Sequence, residues 1–556
     1  MKGIKYTIIL GIFLFVMPLF NACTNNDFLD EDVKDRILID NLYQNHVGFE
    51  VGLNGLYATL LQEHRGSIGG GTAYPTFTMM KGGMDNVFAV LWPDDNIAVQ
   101  DLKDKSNPEV FLYYHTWSWL YEVINAANTI ISRAENENVD WGGGKDDAKN
   151  LSNKNIVIAE ARCIRAWAYR HLTNLWGDVP LRLEESGSNN ITRTTERTNV
   201  REIENQMEED FKFAVLHLPN VPERPGKVSK AVAQHYLAEL YLKWGDYAKA
   251  EQMADNVINS GDYTLVTDRY GVTQNRPGTP FSDLFLEGNV GRSQGNTEVL
   301  WSWHREFSVI GGENFSIHRR WCVWPYDRYY YDDVSGKKLK VTYERGGRGL
   351  AAMAMTKWAL ELYEDGDDRN SEHAMRRFFI LEDSEEVNLE YNKLGDTIWI
   401  DITNTEENFT LKTMWPSARK NEWALKENPS DAYQYDDSNY LRLAETYFLR
   451  AEAEIKLGKL DEAAETINII RRRSNASDIT ATEATIDFLL DERSRELVWE
   501  EHRRYVLVRN NKYVERLQAY NPLAAPNVTE RDRLFPIPQV EMDLSPETMV
   551  QNPGWK

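Results

Sequence analysis

The chain has 556 residues, 42% apolar and 27% charged, with a net charge of −23. That length and balance fit a soluble globular protein of several domains or one large elaborated one. An acidic body of this size repels nucleic acid and anionic lipid headgroups, so neither is expected as a partner.

At the start of the chain, Lys2 and Lys5 precede an apolar segment from Ile8 to Phe20. It falls short of the ~20 residues that span a hydrocarbon core and reads as an export signal. Phe20-Asn21-Ala22-Cys23 is similar to a lipobox, the motif of bacterial lipoproteins, which makes residues 1–22 the signal peptide and Cys23 the lipidated first residue. Membrane attachment is then expected through acyl chains, each buried methylene contributing about 0.8 kcal/mol. Cys163 and Cys322 are the other two cysteines, and whether they pair is left open by the sequence.

Helical periodicity is the strongest regular signal in the chain. Ile158, Ala161, Ile164, Ala168, Leu172 and Leu175 keep one face until Trp176-Gly177-Asp178-Val179-Pro180 stops the helix. Val200 to Leu218 forms another helix after Asn199, a suitable N-cap. Ala233, Tyr236, Leu237, Leu240, Tyr241 and Trp244 make an amphipathic stripe, broken by Gly245-Asp246 and resumed at Tyr247, Ala250, Ala254 and Val257. The same plan recurs at Leu443 to Ile455, turned by Gly458-Lys459 and continued by Leu460, Ala463, Ala464, Ile467 and Ile470. Superposing Gly245 on Gly458 matches Ala238 with Ala451, Tyr247 with Leu460 and Ala250 with Ala463. Small residues at close approaches, with a larger one after the turn to fill the gap, resemble tetratricopeptide helical pairs. Glu445 and Glu452 aside, the helical charges are expected to face solvent, and His502 beside Glu501 reads as a salt-bridged surface. Ile486 to Glu500 is predicted as one long helix, and 521–555, rich in Pro and Asn, as an extended wrap.

Residues 262–440 differ. Gly, Pro, Asn and aromatic residues dominate, with strand-like runs at Glu298 to Trp303 and Thr397 to Asp401. The predicted organisation is 23–261 for the lipidated segment and helical scaffold, 262–440 for a loop-rich aromatic region, and 441–556 for the C-terminal helical pairs and wrap. Loops carried on a rigid scaffold are where binding residues concentrate.

Five segments together resemble the RagB/SusD family of nutrient-binding outer-membrane lipoproteins. They are Cys23 followed by Phe28-Leu29-Asp30; Glu160 to Tyr169 with Leu175 to Leu181; Tyr440 to Glu445 with Ala451-Glu452-Ala453; Asp491 to Leu497 with Glu501 to Arg504; and Leu534 to Pro538 with Gln551 to Trp555. The chain departs from the family pattern at Arg504 to Asn510, which lacks an Asp and a Trp usual there. The resemblance implies a mostly α fold of tetratricopeptide-like pairs with an irregular ligand-binding region. It implies non-catalytic capture of an oligosaccharide or a peptide at the cell surface. It also implies delivery to a SusC-like TonB-dependent barrel transporter.

Sugar binding needs flat apolar faces beside hydrogen-bonding groups. Two runs offer both: Leu91-Trp92-Pro93-Asp94-Asp95-Asn96, and Trp321 to Tyr331 with Trp324, Tyr326 and Arg328. Trp92, Asp94, Asn96, Trp321, Trp324, Tyr326 and Arg328 are therefore the candidate ligand contacts, and Asp85 joins them by resemblance to an early Asp of the family. Asp365-Gly366-Asp367-Asp368 is no EF-hand, with Asn370 at position six and Arg376 at position twelve; it reads as a turn leading to an Asp-x-Arg contact. Nucleophile motifs are absent, no carboxylate pair stands out among 86 acids, and the glycines at Arg345 to Gly349 lack phosphate-loop spacing and read as flexible turns. No catalytic residue, metal or cofactor is expected. A helical-repeat scaffold that binds only protein is the remaining alternative.

Overall fold

The computed structural model describes residues 39–65, 67–69, 72–74, 76–89, 94–187, 195–307, 309, 316–328, 330–331, 336–402 and 414–555. Cys23 and the lipobox-like residues before it lie outside them.

The helices that set the scaffold are α1 His46–Leu60, α2 Phe111–Arg133, α3 Asp147–Trp176, α4 Val200–His217, α5 Lys230–Trp244, α6 Tyr247–Ile258, α7 Leu443–Leu457, α8 Leu460–Arg473, α9 Ile486–Leu497, α10 Arg503–Arg509 and α11 Tyr513–Tyr520. Local chemistry fixes their ends. The Asn199 side chain accepts from Arg201 N at 2.9 Å and starts α4. Gly245 and Gly458 take the left-handed conformation, at φ 77° and 76°, and each releases its helix into the next.

Successive helices pack on one another from α2 to α8, and α1 lies across α2 and α3. The two pairs that share the small-residue pattern are adjacent, because α6 packs directly on α7. The stack thus continues across an insertion of nearly two hundred residues. Ala238, Ala250, Ala451 and Ala463 are fully buried where the helices meet. The expected filler role does not hold for Leu460, which is 40% exposed at the rim.

Strands occur as two-stranded ribbons: β1 Val87–Ala89, β2 Val299–Trp303, β3 Met353–Met355, β4 Phe378–Ile380, β5 Thr397–Trp399 and β6 Ser438–Arg442, paired antiparallel as β1 with β3, β2 with β6 and β4 with β5. The β2–β6 ribbon closes the loop-rich region onto the scaffold. Tyr440 stacks on Trp303 at 4.0 Å, and the Trp167 indole of α3 donates to the Tyr440 hydroxyl at 3.1 Å. A second core gathers Trp321, Cys322, Trp324, Tyr326, Met353, Met355, Phe379 and Trp415 inside the loop-rich region. Both Cys163 and Cys322 are buried free thiols, one in each core.

The charges of the C-terminal helices do not face solvent as the sequence suggested. Glu492, Arg493, Glu496, Glu501, His502, Arg503 and Arg504 are all buried. Glu501 is held by Arg493 and Arg503 nearby, and the others find partners from farther along the chain, which is what makes burial of charge tolerable. Arg369 meets Asp367 at 2.8 Å and Glu492 at 2.7 Å; Arg442 meets Glu298 at 2.5 Å and Glu500 at 2.6 Å; Arg471 meets Glu492 at 2.6 Å. Arg473 bonds Glu496, which also takes Arg442 at 3.0 Å. These pairs lock α8 and α9 to β6 and to the 367–369 turn. That turn is the Asp-x-Arg contact read from the sequence.

Helix α9 also ends at Leu497, short of the predicted Glu500. Trp499 turns the chain at φ 70° and is itself buried. The C-terminal stretch is extended only in part. Leu534 to Pro538 runs along α3, with Phe535 N donating to Leu175 O at 2.8 Å and the Trp176 indole donating to Pro536 O at 3.0 Å. A short helix, Gln539–Leu544, then interrupts it.

Candidate functional site

The ribbon β4–β5 carries the most exposed indole among the described residues. The register sets Phe378 opposite Trp399, so period-two alternation puts both rings on one face and Phe379 and Ile398 on the other. Phe379 is buried in the second core and Ile398 packs against it, which fixes the ribbon from behind. Phe378 and Trp399 stand 4.9 Å apart at 54°, and Trp399 is 67% exposed. The result is an open aromatic ledge on a braced strand pair. Trp399 is not among the sequence candidates, although the alternation of Thr397-Ile398-Trp399-Ile400 is a signal that sets its ring opposite the apolar face.

The loop from Tyr343 to Ala351 ties this ledge to two further features. Arg345 is buried, bonds Glu386 at 3.0 Å and donates to Ile380 O of the ribbon at 2.6 Å. Gly346 and Gly347 sit at φ 74° and 78°, and a Cβ on Gly347 would lie 2.4 Å from Arg319 Nη1. These glycines are therefore tightly held turns, required by backbone conformation and close approach, and not flexible ones.

On one side of the loop, Tyr343 and Glu344 line a cleft of about 440 Å³ shared with Arg276, Phe285, Arg419 and Trp423. Its inner wall holds Lys420, whose Nζ lies 4.9 Å from the Phe285 ring and bonds Glu500 and Glu496 O. Burial pulls the Lys420 ammonium down to about 8 although Glu500 opposes it. On the other side, Arg348 approaches Asp327 at 3.2 Å, and Leu350 N donates to Arg320 O at 2.7 Å.

The sequence candidates divide sharply. Trp92 lies outside the described residues; Asp94 and Asn96 fall in the short helix Asp94–Asp101, described there by its backbone alone. Trp321, Trp324 and Tyr326 are corrected from ligand contacts to core residues. Their rings turn inward and are almost fully buried, and the Tyr326 hydroxyl donates to Gly347 O. Asp85 is likewise corrected. It is fully buried, and Arg503 and Arg516 occupy both its oxygens. Arg328 is exposed, as a contact residue must be. The aromatic run thus splits by side. Its apolar rings build the second core, while Arg328 and Tyr330 remain outside.

Glu63, His171 and His502 place ligand-type atoms within 4.8 Å of one another. Arg170 Nη1 lies 3.0 Å from His502 Nδ1 and can only donate, so Nδ1 accepts and the proton sits on Nε2, which gives it to Glu63 at 3.2 Å. The other Glu63 oxygen accepts from the Tyr440 hydroxyl at 2.8 Å. This leaves His502 no lone pair for a cation. Glu63 and His502, with Arg170 and Tyr440, form a hydrogen-bond junction between scaffold and insertion, while His171 pairs its Nδ1 with the Tyr505 hydroxyl at 2.8 Å. Burial, then Arg170 and Lys81, hold His502 well below the usual histidine range.

Known proteins share this architecture. A family model described as "Starch-binding associating with outer membrane" matches residues 40–242, and the SusD family model matches residues 390–555. A SusD-like protein of Formosa agariphila is 23% identical over 582 residues, spanning 98% of this chain and 99% of its own length. Among solved structures, a laminarin-binding SusD-like protein aligns with a TM-score of 0.66 at 19% identity, over 92% of this chain and 100% of that one. Surface glycan-binding protein A from Bacteroides thetaiotaomicron, in complex with laminarihexaose, aligns with a TM-score of 0.68 at 17% identity, over 91% of this chain and 99% of that one. At such identities the structural likeness speaks for the fold.

Proposed function

The chain belongs to the SusD/RagB family, and on that footing we propose that it captures an oligosaccharide at the outer membrane without altering it. The observation that carries this reading is the Phe378–Trp399 ledge. A pyranose shows a patch of C–H groups on one face and hydroxyls around its edge. The exposed indole takes the face. Tyr343, Glu344, Arg276 and Arg419 of the cleft on one side of the Tyr343 to Ala351 loop offer hydrogen-bonding groups for sugar hydroxyls. Because Phe379, Ile398 and Arg345 hold the ledge from behind, little conformational freedom is lost on binding, which favours affinity. The laminarin and laminarihexaose named for two structural neighbours support a carbohydrate ligand.

Trp92, with Asp94 and Asn96 beside it, is proposed as a second ring-and-edge contact. Attachment is proposed through lipidated Cys23, with the loop-rich face toward the cell exterior, and the description of the matched family model supports outer-membrane association. The captured oligomer passes to a TonB-dependent barrel transporter. Affinity electrophoresis of the purified chain through gels containing neutral and acidic polysaccharides tests the ligand class: retardation by a polysaccharide supports the reading, and unchanged migration in every gel rejects it. Incorporation of a labelled palmitate analogue, lost in Cys23→Ala, tests the anchor.

A further inference from the structure

On the far side of the Tyr343 to Ala351 loop from the cleft, three arginines gather. The backbone from Arg348 to Ala351 runs against Arg320 to Trp324: Leu350 N and Ala351 N both donate to Arg320 O, and a Cβ on Gly349 would lie 2.0 Å from Val323 O. This places Arg348 alongside Arg320 and next to Asp327, whose neighbour is Arg328. Among the described residues Asp327 is the one carboxylate within 4 Å of any of the three, and it serves Arg348. Arg320 is half-buried and Arg328 exposed, and neither has a carboxylate partner among the described residues. Tyr330, 50% exposed, lies just beyond, with Lys338 Nζ 5.2 Å from its ring centroid. Burial, then Arg328 and Arg348, hold the Arg320 guanidinium below its ordinary range, as expected of bunched cations.

This arrangement differs from that of several buried arginines, although Arg305, Arg319 and Arg504 are likewise met by carbonyl and uncharged side-chain groups and by no carboxylate among the described residues. The chain carries 86 acids to 63 bases, and its buried arginines at 165, 369, 442 and 503 are each met by carboxylates. A basic group with a single carboxylate, Asp327, against it among the described residues is stabilised when an anion arrives. Guanidinium forks match the paired oxygens of carboxylates and sulfate esters. A flat anionic membrane would face the whole acidic body across a screening length of about 8 Å. A single oligosaccharide chain meets only the local patch.

We infer that the oligosaccharide is anionic, bearing carboxylate or sulfate groups that Arg320, Arg328 and Arg348 bind while Tyr330 covers an adjacent ring face. This rests on the carbohydrate-binding reading above. The test uses the full chain, purified in detergent, with four probes: neutral laminarin, oligogalacturonate, a sulfated galactan and polyglutamate, each titrated at about 50 and about 300 mM salt. The expected result is that oligogalacturonate or the sulfated galactan binds more tightly than laminarin and weakens with salt. Each of Arg328→Gln and Arg320→Gln then weakens that binding about tenfold. Which of the two glycans binds separates carboxylate from sulfate recognition. Arg328 is exposed, so its variant tests the inference even if Arg320→Gln perturbs folding. Binding of laminarin alone overturns this inference and leaves carbohydrate capture standing, as does anionic binding unchanged in Arg328→Gln. Binding of polyglutamate alone, or of no probe, overturns both.

Discussion

Arg503 grips both carboxylate oxygens of Asp85, at 2.8 and 2.7 Å, although 418 residues separate the two. Arg516 adds a third bond at 2.7 Å. Asp85 leads into β1, which pairs with β3 of the loop-rich region, and Arg503 opens α10. The ion pair is thus a bolt between the two ends of the chain. Burial alone would raise the Asp85 carboxyl, yet Arg503 and Arg516 hold it below the usual range.

Removing one partner of such a group leaves the other charges buried and unpaired. Asp85→Ala is expected to destabilise the protein by about 3–5 kcal/mol, read as a fall in the urea midpoint. Asp85 is fully buried with both oxygens taken by arginines, so oligosaccharide affinity of the folded variant should stay within about twofold of the parent. A lost affinity at unchanged stability would return Asp85 to the binding face.

The two kinds of tryptophan should separate cleanly. Trp324 is buried in the second core, and Trp324→Ala should cost about 3–5 kcal/mol of stability through cavity formation. Trp399 is largely exposed, and Trp399→Ala should leave stability within about 0.5 kcal/mol. Denaturation of both variants, read before any binding assay, checks this. A large stability loss in Trp399→Ala would make the ring structural.

Stability should fall on acidification in two stages. Burial, the leading cause for each, holds His64, His171, His318 and His502 well below the usual histidine range and His235 at about 3. The unfolded chain then binds more protons than the folded one below about pH 6.5, so each histidine contributes stability that is full above that pH. It erodes by up to about 1.4 kcal/mol per pH unit as pH falls. Burial pushes Glu445 and Asp436 up to about 7, and these two work oppositely, gaining stability as pH falls from 7 towards the ordinary carboxylate range. Five histidines outweigh two acids, so a net loss is expected. Glu239, Glu492 and Glu496 sit at about 2, where their arginine partners overcome burial, and their contribution is lost below about pH 4.5. The urea midpoint should fall between pH 7.5 and 5.5 and fall more steeply below 4.5. His235→Gln should flatten the first stage, and a midpoint that rises towards pH 5.5 would contradict the assignment.

The helical pairs were legible because their causes are local. Apolar spacing, Asn199 as a cap, and Gly245 and Gly458 as left-handed stops all act within a few residues. That α6 packs on α7 was not legible, because periodicity carries no information about which distant helix fills a face. The buried charge networks were hidden for the same reason. Glu496 looks like any solvated helical acid until Arg442 and Arg473 arrive from elsewhere in the chain. The aromatic run at Trp321 to Tyr331 showed that rings gather there and not which way they turn. Buried backbone neighbours such as Gly347 and Gly349 decide that, and they lie outside the run.

The most direct test is calorimetric titration of the full chain with an oligosaccharide panel spanning neutral and anionic members, for wild type and Trp399→Ala, followed by chromatography of the recovered sugar. Saturable binding of at least one oligosaccharide, its recovery intact, and about tenfold weaker binding in the variant are predicted, about 1.4 kcal/mol being within the reach of one stacked ring with its buried area. Heat consistent with no binding across the panel, or steady release of shorter sugars, would contradict it.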